Sequence, residues 1–402
     1  MSFETFSFHP GIMVGIRALG YTVPTPIQLQ AIPLIMQGRD VIGLAQTGTG
    51  KTAAFVLPIL ERLRSGPRGR VRSLIISPTR ELAEQTCEVI NSLGSRVGLY
   101  GVAVYGGVSM ERQTSALRGG AEIVAACPGR LLDHLWKGTI NLSDLEVLVI
   151  DEADRMFDMG FLPDVRSILR CILHKHQTLL FSATMPADIR RLAREILHDP
   201  VTAQVDLRLP AKTVSHALYP VQQHLKTKLL KGILNNTSTE SVLVFTRTKH
   251  RAERVAQQLI RAGYPVTSLQ GDLPQNRRQA ALEGFRKGSI KILVATDIAA
   301  RGIDVLSISH VINYDMPAST DDYIHRIGRT GRVEKNGDAI TFVTGDDTDK
   351  IIALERLLDV SLERVTLEGF DYSRPAPDRQ PRLSRQTRRH DIVSKRSTRG
   401  SR

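Results

Sequence analysis

Cysteine is scarce in this chain of 402 residues, and its three cysteines, Cys87, Cys127 and Cys171, lie far apart. No two of them form a CxxC pair, so the sequence predicts neither a disulfide framework nor a zinc site. No apolar run approaches the roughly 20 residues that a membrane-spanning helix requires. The first residues, MSFETFSFHPG, also lack the basic start and apolar run of a secretory signal. We therefore expect a soluble protein of the cytoplasm, without a membrane partner.

Positive charge, in contrast, is abundant. The formal net charge is +13, the pI is about 9.9 and 42% of the residues are apolar, which is enough for two or three domain cores. This balance favours a polyanionic partner, either nucleic acid or an anionic membrane surface.

Residues 373–402 hold ten Arg or Lys and two Asp and show no apolar periodicity. We expect this tail to be disordered and to bind phosphates electrostatically, with a purely solubilising role as the alternative.

Short apolar runs alternate with segments of helical periodicity, which is typical of α/β domains with parallel sheets. RELAEQTCEVINSLG (80–94) is one such helical segment. The predicted strands fall into two series, 41–46, 73–78, 102–107, 122–127, 147–151 and 178–184, then 241–246, 265–270, 291–297, 310–315 and 339–344. We predict an N-terminal domain (1–206), a linker (207–215), a C-terminal domain (216–370) and the tail (371–402). Ligands of such sheets bind at the carboxyl ends of the strands.

The segment AQTGTGKT (45–52) is a candidate phosphate-binding loop, because it follows a predicted strand and precedes a helical apolar segment. Gly48 and Gly50 permit a tight turn that directs backbone N–H groups at an anion. Lys51 is expected to reach the β- and γ-phosphates, and the Thr52 hydroxyl to bind Mg²⁺. Thr47 and Thr49 complete the loop.

Three carboxylates follow the predicted strand VLVI (147–150), namely Asp151, Glu152 and Asp154. A strand that ends in solvent would explain them, and so would a metal ion at the tip of the strand. The candidate phosphate-binding loop favours the second explanation, a metal ion at the tip of the strand. We expect Asp151 to hold Mg²⁺ through water and Glu152 to deprotonate the attacking water.

The segment Asp151-Glu152-Ala153-Asp154, together with AQTGTGKT, resembles the signature of the DEAD-box ATP-dependent RNA helicases, and the family's other motifs follow in order over residues 3–345. The resemblance implies two tandem RecA-like domains. GYTVPTPIQ (20–28), with Phe3 seventeen residues upstream, is similar to the family's adenine-recognition element. This similarity implies that ATP is the nucleotide, with Tyr21 stacking on the base and Gln28 reading its edge.

Further motifs resemble the family's RNA-binding elements. The resemblance places RNA contacts at Pro78, Thr79, Arg80, Gly107, Pro128, Gly129, Arg130, Thr246, Arg247, Gly271, Asp272 and Thr296. Contacts of this kind suit the phosphate backbone and read no base sequence. One position departs from the pattern, because Cys127 stands where the family usually has Thr, so a hydroxyl contact with RNA is replaced by a weak thiol donor.

The remaining motifs imply communication between the domains. Ser182-Ala183-Thr184 resembles the coupling motif whose hydroxyls bond to Asp154, and the resemblance adds His325 to this group. Within TDIAARGID (296–304) and HRIGRTGR (325–332), it assigns Asp304 to the ribose and makes Arg329 and Arg332 candidates for stabilising the transferring phosphoryl group.

The resemblance implies RNA-stimulated ATP hydrolysis coupled to local unwinding of RNA duplexes, and within the family the chain looks closest to the RhlE-like branch. Two alternatives stay open. A DNA-stimulated motor would use the same phosphate chemistry, and an RNA clamp would bind without productive hydrolysis. Lys51, Glu152 and Arg332 together argue against the clamp.

Overall fold

The computed structural model describes residues 2–46, 48–205, 214–237, 240–300, 308–330 and 337–376. Over these residues the chain forms two α/β domains, each built on seven parallel strands. This arrangement confirms the predicted fold class of two tandem RecA-like domains with parallel sheets.

The first domain has the sheet order β3-β4-β2-β5-β6-β1-β7. Its strands are β1 (Val41–Leu44), β2 (Ser73–Ile76), β3 (Gly101–Val104), β4 (Ile123–Ala126), β5 (Val147–Ile150), β6 (Gln177–Ser182) and β7 (Val201–Gln204). Its helices are α1 (Pro10–Ala18), α2 (Pro26–Met36), α3 (Lys51–Leu63), α4 (Arg80–Gly94), α5 (Met110–Arg118), α6 (Pro128–Trp136), α7 (Ala153–Asp158), α8 (Leu162–Leu169) and α9 (Ala187–Ile196).

The central strands of this sheet, β2, β4, β5 and β6, are buried on both faces, which explains why they contain long apolar runs. Alternate residues of a strand point to opposite faces. In β5, Val147 and Val149 belong to one core, and Leu148 and Ile150 belong to the other. The strand therefore places Asp151, the next residue, at the carboxyl edge of the sheet between two packed layers.

The second domain has the order β10-β11-β9-β12-β13-β8-β14. Its strands are β8 (Val214–Pro220), β9 (Val242–Phe245), β10 (Val266–Leu269), β11 (Ile292–Ala295), β12 (His310–Asn313), β13 (Gly337–Val343) and β14 (Glu363–Arg364). Its helices are α10 (Lys226–Asn236), α11 (Lys249–Ile260), α12 (Gln275–Arg286), α13 (Asp297–Ala300), α14 (Thr320–Ile327) and α15 (Thr348–Leu358).

All eleven predicted strands are present, and α4 has the predicted bounds. The sequence missed β7, β8 and β14, which lie at one side of their sheets and are only partly buried. Their apolar signal is weak because one face is open to solvent. Val214 and Ser215, predicted to lie in the linker, are instead the first residues of β8.

The predicted tail also begins too early. Tyr372 packs against the core of the second domain and its hydroxyl accepts from the Leu367 N–H at 2.9 Å. Residues 377–402 lie outside the described residues, as do most of the predicted linker. The three cysteines are free thiols. None of the helices in the described ranges combines the length and the apolar character needed to span a membrane.

Candidate functional site

A cavity of about 280 Å³ opens at the carboxyl edge of the first sheet. The loop between β1 and α3 forms its floor, and Gly48 and Gly50 have φ values of 86° and 88°, in the left-handed region that favours glycine. The lining includes Phe3, Tyr21, Gln28, Gly48, Gly50, Lys51, Thr52, Asp151, Glu152 and Arg329. Nearly all the residues predicted to bind nucleotide therefore lie around one cavity.

The predicted adenine-recognition element is tied directly to the predicted phosphate loop. The Thr25 N–H donates to Gln28 Oε1 at 2.9 Å, and Gln28 Nε2 donates to the Gly50 carbonyl at 3.0 Å. Gln28 is buried, and the rings of Phe3 and Tyr21 stack with their centroids 6.4 Å apart. A change at the base end of the cavity can thus be transmitted to the loop through one amide.

Lys51 and Thr52 begin α3 at the centre of the cavity. Lys51 is buried, and its ammonium donates to the Ala45 carbonyl at 2.9 Å. The hydroxyl of Thr49 donates to the Gln46 carbonyl at 2.7 Å, which closes the turn of the loop. Lys51 is the main cation that opposes the effect of burial on the pKa of Asp151.

Asp151 and Glu152 are both buried but titrate differently. Burial raises the pKa of Asp151 to about 7, against the opposing charge of Lys51. Burial also acts on Glu152, but Arg155, Lys51 and Arg329 outweigh it and hold the pKa of Glu152 below its usual range. Arg155 Nη1 lies 2.5 Å from Glu152 Oε2. A carboxylate that stays ionised beside one that protonates readily gives the site two distinct acid–base groups.

The Asp151 carboxylate and the Thr52 hydroxyl fit a hard cation such as Mg²⁺, which prefers oxygen ligands and keeps much of its water. Within the ranges that the structure describes, no group of three or more His, Cys, Asp or Glu is arranged to hold a metal ion. The protein would therefore supply only part of the coordination shell. Water and nucleotide oxygens would supply the rest.

Asp154 connects this site to the end of β6. Its Oδ2 accepts from the Thr184 N–H at 2.9 Å and from the Thr184 hydroxyl at 3.2 Å, while its own N–H donates to Ser182 Oγ at 3.2 Å. Burial would raise the pKa of Asp154, but Lys51 and His325 hold it below its usual range. The coupling residues predicted from the sequence thus meet at one carboxylate.

The second domain faces this carboxylate group with His325 and Arg329. Arg329 is buried and lines the nucleotide cavity, and a second cavity is lined by Arg155, His325 and Arg329. Burial, with the nearby charge of Arg155, lowers the pKa of His325 to about 4, so the imidazole is neutral at pH 7. Thr47, Asp304 and Arg332 lie outside the described residues, and their assigned roles stay predictions.

Sequence reasoning missed Arg326, which organises this side of the second domain. Its guanidinium contacts both carboxylate oxygens of Asp297, at 2.5 and 2.8 Å, and donates to Asn313 Oδ1 and the Asp315 carbonyl. Arg326 is buried and positions α14. It lines the second cavity beside His325 and Arg329, whereas the first cavity is lined by Arg329 instead. In the sequence it is indistinguishable from its neighbour Arg329.

In the first domain, the predicted RNA residues lie at the ends of β2, β3 and β4. Thr79 caps α4 by accepting from the Leu82 N–H at 3.4 Å. Arg80 lies against Gly107, whose φ is 88°, and a Cβ there would be 2.3 Å from Arg80 Nη1. Glycine is therefore required for this approach. Pro128 is the first residue of α6 and Gly129 is exposed.

Arg130 is held by two residues that sequence reasoning missed. Its Nη1 donates to the Val108 carbonyl at 3.0 Å and to Gln113 Oε1 at 3.3 Å. Gln113 is buried, its Nε2 donates to the Tyr105 carbonyl at 2.8 Å, and the same Oε1 lies 3.2 Å from His134 Nε2. The network joins α5, α6 and the Gly106-Gly107 loop. In the sequence, only the polar residues at helical positions that face the core pointed to it.

Cys127 follows β4 directly and is the N-cap of α6, where its side chain makes no capping hydrogen bond. Burial raises the pKa of its thiol to about 12, with Glu81 adding to the effect. The thiol is therefore neutral and unreactive at pH 7. Nothing in the geometry explains why Cys stands in place of Thr.

In the second domain, the predicted RNA residues follow three adjacent strands, β10, β11 and β9. Gly271 and Asp272 are exposed, and Asp272 pairs with Lys249 at 2.5 Å. Thr296 caps α13 with its carbonyl. Thr246 is buried and donates to the Thr248 carbonyl at 3.3 Å, whereas the exposed Arg247 donates its backbone N–H to Asp315 at 2.9 Å.

The two domains contact each other through α4 and α12. Arg278 forms a buried ion pair with Glu81, and Arg80 Nη1 donates to Gln275 Oε1 at 3.3 Å. Gln279 donates to Glu84 at 2.7 Å. None of these partners on α12 was predicted to have a role. The paired residues are about 195 positions apart in the sequence, so no local pattern indicates that they meet.

Comparison with known proteins agrees with this geometry. Residues 25–192 match the DEAD/DEAH box helicase model, and residues 225–334 match the helicase conserved C-terminal domain. The chain is 40% identical over 372 residues to the DEAD-box ATP-dependent RNA helicase CshA of Bacillus subtilis, covering 92% of this chain and 75% of that protein. It is also 40% identical to RhpA of Helicobacter pylori, covering 90% and 73%.

Solved structures show the same arrangement of two domains. Dbp5 of S. cerevisiae bound to RNA and ADP BeF3 superposes with a TM-score of 0.82 at 30% identity, over 91% of this chain and 96% of that one. Mss116p bound to ssRNA and AMP-PNP gives 0.79 at 27% identity, over 90% and 78%. The RhlE-like branch stays a prediction. By its motifs, its relatives and its fold, the chain belongs to the family of DEAD-box ATP-dependent RNA helicases.

Proposed function

We propose that the protein hydrolyses ATP when RNA brings its two domains together, and that this closure unwinds short RNA duplexes locally. The observation that carries the proposal is the position of Arg329, which enters from the second domain the cavity that contains Lys51 and Glu152. Because neither domain alone holds both the phosphate loop and this arginine, hydrolysis requires closure. Ligands that bind both domains favour closure.

The chemical roles follow from charge and burial. Glu152, whose low pKa keeps it ionised, orients and deprotonates the attacking water. Thr52 and Asp151 would hold Mg²⁺, which when bound neutralises charge on the phosphates. Lys51 reaches the β- and γ-phosphates, and Arg329 stabilises negative charge in the transition state, together with Arg332 by family resemblance. Asp304 would contact the ribose.

RNA would bind across the strand ends of both domains. Arg80, Arg130 and Arg247, with helix N-termini and exposed glycines, suit phosphates and give little sequence preference. Contacts with 2′-hydroxyl groups would favour RNA over DNA. Dbp5 of S. cerevisiae is bound to RNA and ADP BeF3 in its solved structure, which supports the same pair of ligands here.

Steady-state ATPase activity tests the proposal. The protein is assayed at one fixed salt concentration with no nucleic acid, with single-stranded RNA and with DNA of the same sequence. Strong stimulation by RNA alone is expected. Equal stimulation by DNA would indicate a DNA motor, and RNA binding without turnover would indicate a clamp.

We propose in addition that the basic tail binds RNA and that the protein acts in the cytoplasm, where a reducing environment suits its three free thiols. Truncation after Ala376 tests the tail and keeps Tyr372 in place. A smaller salt dependence of RNA affinity in the truncated protein would support the role. An unchanged dependence would leave the tail solubilising.

A further inference from the structure

Two helices of the second domain carry many cations and almost no acidic residues. α10 (KTKLLKGILNN) has three lysines and no carboxylate, and α11 (KHRAERVAQQLI) has Lys249, Arg251 and Arg254 against Glu253 alone. Glu253 is already engaged, because it accepts from the Ser268 hydroxyl at 2.7 Å and from the Gln257 amide. Lys226 is buried against Tyr314 and Asp315, and Lys249 is paired with Asp272. The positive charge on the exposed side of the pair therefore comes mainly from Lys228, Lys231, Arg251 and Arg254.

α10 and α11 pack against each other, and both approach Tyr314. The hydroxyl groups of Thr227, on α10, and Tyr314 are 2.9 Å apart, and Arg251 and Arg254, on α11, both act on the pKa of Tyr314. Lys228 follows Thr227 directly and is exposed. We name the exposed cations Arg247, Lys228 and Arg254, with the half-exposed Arg251, the α10–α11 basic surface.

One end of this surface meets the predicted RNA path. Arg247 lies two residues before α11 begins, and Arg251 and Arg254 lie within its first two turns, three positions apart and therefore on one side of the helix. From the first residue of α11 to Arg254 the helix rises roughly 8 Å, at about 1.5 Å per residue. The surface thus continues outward from the point where the second domain is predicted to grip RNA.

The other end meets the start of the basic tail. His224 Nε2 lies 2.7 Å from the carbonyl oxygen of Arg374. Hydrogen bonds with Ser373 lower the pKa of the exposed Asp371, and the charges of Arg374 and Lys228 add smaller contributions. The last described residues therefore run beside α10. Of the cations on the surface, Arg251 is paired with Asp315. Lys228 and Arg254 form no ion pair within the part of the chain that the structure describes.

We call the path along the predicted RNA residues at the strand ends of both domains the strand-end groove. We propose that the α10–α11 basic surface binds the phosphates of RNA that extends beyond this groove. The inference rests on the proposed RNA helicase function and adds a second, peripheral binding segment to it. Exposed cations of which only Arg251 is paired with a carboxylate, lying next to a predicted phosphate contact at Arg247, suit a polyanion whose charges repeat at regular spacing. Short RNA would fill the groove alone, and longer RNA would reach this surface as well.

The test compares RNAs of about 10 and about 25 nucleotides, with lengths chosen to fill the groove alone or to extend past it. The double variant Lys228→Gln/Arg254→Gln removes the two unpaired cations. The matched control is Arg170→Gln/Lys175→Gln, which also removes one arginine and one lysine from exposed positions. Both residues lie just before β6, at the edge of the first sheet opposite to the carboxyl ends of the strands. RNA affinity is measured at several salt concentrations in the presence of a nonhydrolysable ATP analogue.

The double variant should bind the long RNA more weakly, and its salt dependence should fall by about 1.4 in log–log slope, which is about 0.7 for each lost phosphate contact. Affinity for the short RNA and ATPase stimulation by it should stay at wild-type values. An unchanged slope with long RNA would overturn the inference and leave an acidic protein as the partner to test. Equal losses with both RNAs, or in the control, would also overturn it.

A failure of the proposed function looks different. In that case the wild-type protein would show no ATPase stimulation by either RNA. The length-dependent affinity difference between variant and control would then still decide whether this surface binds RNA.

Discussion

Arg278 of the second domain contacts Glu81 of the first, with Nε at 2.8 Å and Nη2 at 2.7 Å from the same carboxylate oxygen. The side chains are only 9% and 5% exposed. Glu81 is one residue from Arg80, which is predicted to bind RNA. The ion pair therefore links closure of the domains to the RNA-binding end of α4.

Replacing Arg278 with Ala should weaken closure, because Glu81 would be left buried without its partner. Loss of one member of a buried pair costs about 3 kcal/mol or more, which corresponds to about a hundredfold in an equilibrium constant. RNA affinity in the presence of an ATP analogue, and RNA-stimulated kcat/KM, should fall together. Arg166→Ala, which breaks the exposed pair with Glu195, is the control and should change neither. Wild-type activity of Arg278→Ala would contradict the role.

The variant Glu152→Gln should bind ATP normally but lose turnover by about 10²- to 10⁴-fold, the usual contribution of a general base. The amide oxygen can still accept from Arg155, so the site should stay folded. Nucleotide binding and single-turnover hydrolysis are measured separately. Near-normal hydrolysis would remove Glu152 from its proposed role.

The folded, nucleotide-free protein should lose stability as the pH rises from about 4 to about 7, as far as Asp151 contributes. Burial raises the pKa of Asp151 above its usual 3.8 to about 7, so between these values the folded protein retains a proton that the unfolded chain has released. Glu152 and Asp154 have lowered pKa values, so their contributions to stability change at lower pH values.

Buried histidines such as His134 and His325 have lowered pKa values, so their contribution rises with pH over the same range. The difference between wild type and Asp151→Asn isolates the aspartate. Thermal unfolding of both proteins is followed at several pH values. The advantage of the variant should grow with pH, and parallel curves would show that Asp151 does not titrate in this range.

Replacing Gln113 with Leu should lower RNA affinity about tenfold, because Arg130 loses one of its three contacts and keeps only the Val108 carbonyl and Asp133. A hydrogen bond of this kind is worth about 1.5 kcal/mol. Nucleotide affinity should not change. A double-mutant cycle with Arg130→Ala separates positioning from stability. If Gln113→Leu weakens RNA binding further when Arg130 is already absent, Gln113 does not act through that arginine.

Cys127→Thr should bind RNA slightly more tightly than the wild type. The hydroxyl restores a donor at the start of α6, and Thr is a better N-cap than a neutral thiol. Cys127→Ala is the control, since it removes the thiol without adding a hydroxyl. Equal RNA affinity in all three proteins would mean that this side chain does not contact RNA.

Local sequence patterns were sufficient to predict most strands of the protein and the position of its candidate phosphate site. The strands buried on both faces were continuous apolar runs, and the glycines, Lys51 and Asp151 follow β1 and β5 directly, so strand ends located the phosphate site. β7 and β8 escaped because partly solvated strands at the side of a sheet lack a continuous apolar run. Val214 and Ser215 were placed in the linker for the same reason.

By itself, the sequence determined the fold class, the order of the motifs and many of the residues that line the cavity of the first domain, because these depend on short-range spacing at strand ends. Only the tertiary structure decided which polar groups meet. Arg278 finds Glu81, Gln113 holds Arg130, and Arg326 is buried on Asp297 while Arg329 lines the cavity. Such pairings depend on how separate helices and domains pack, and no periodicity along the chain encodes the distance between side chains that far apart in sequence.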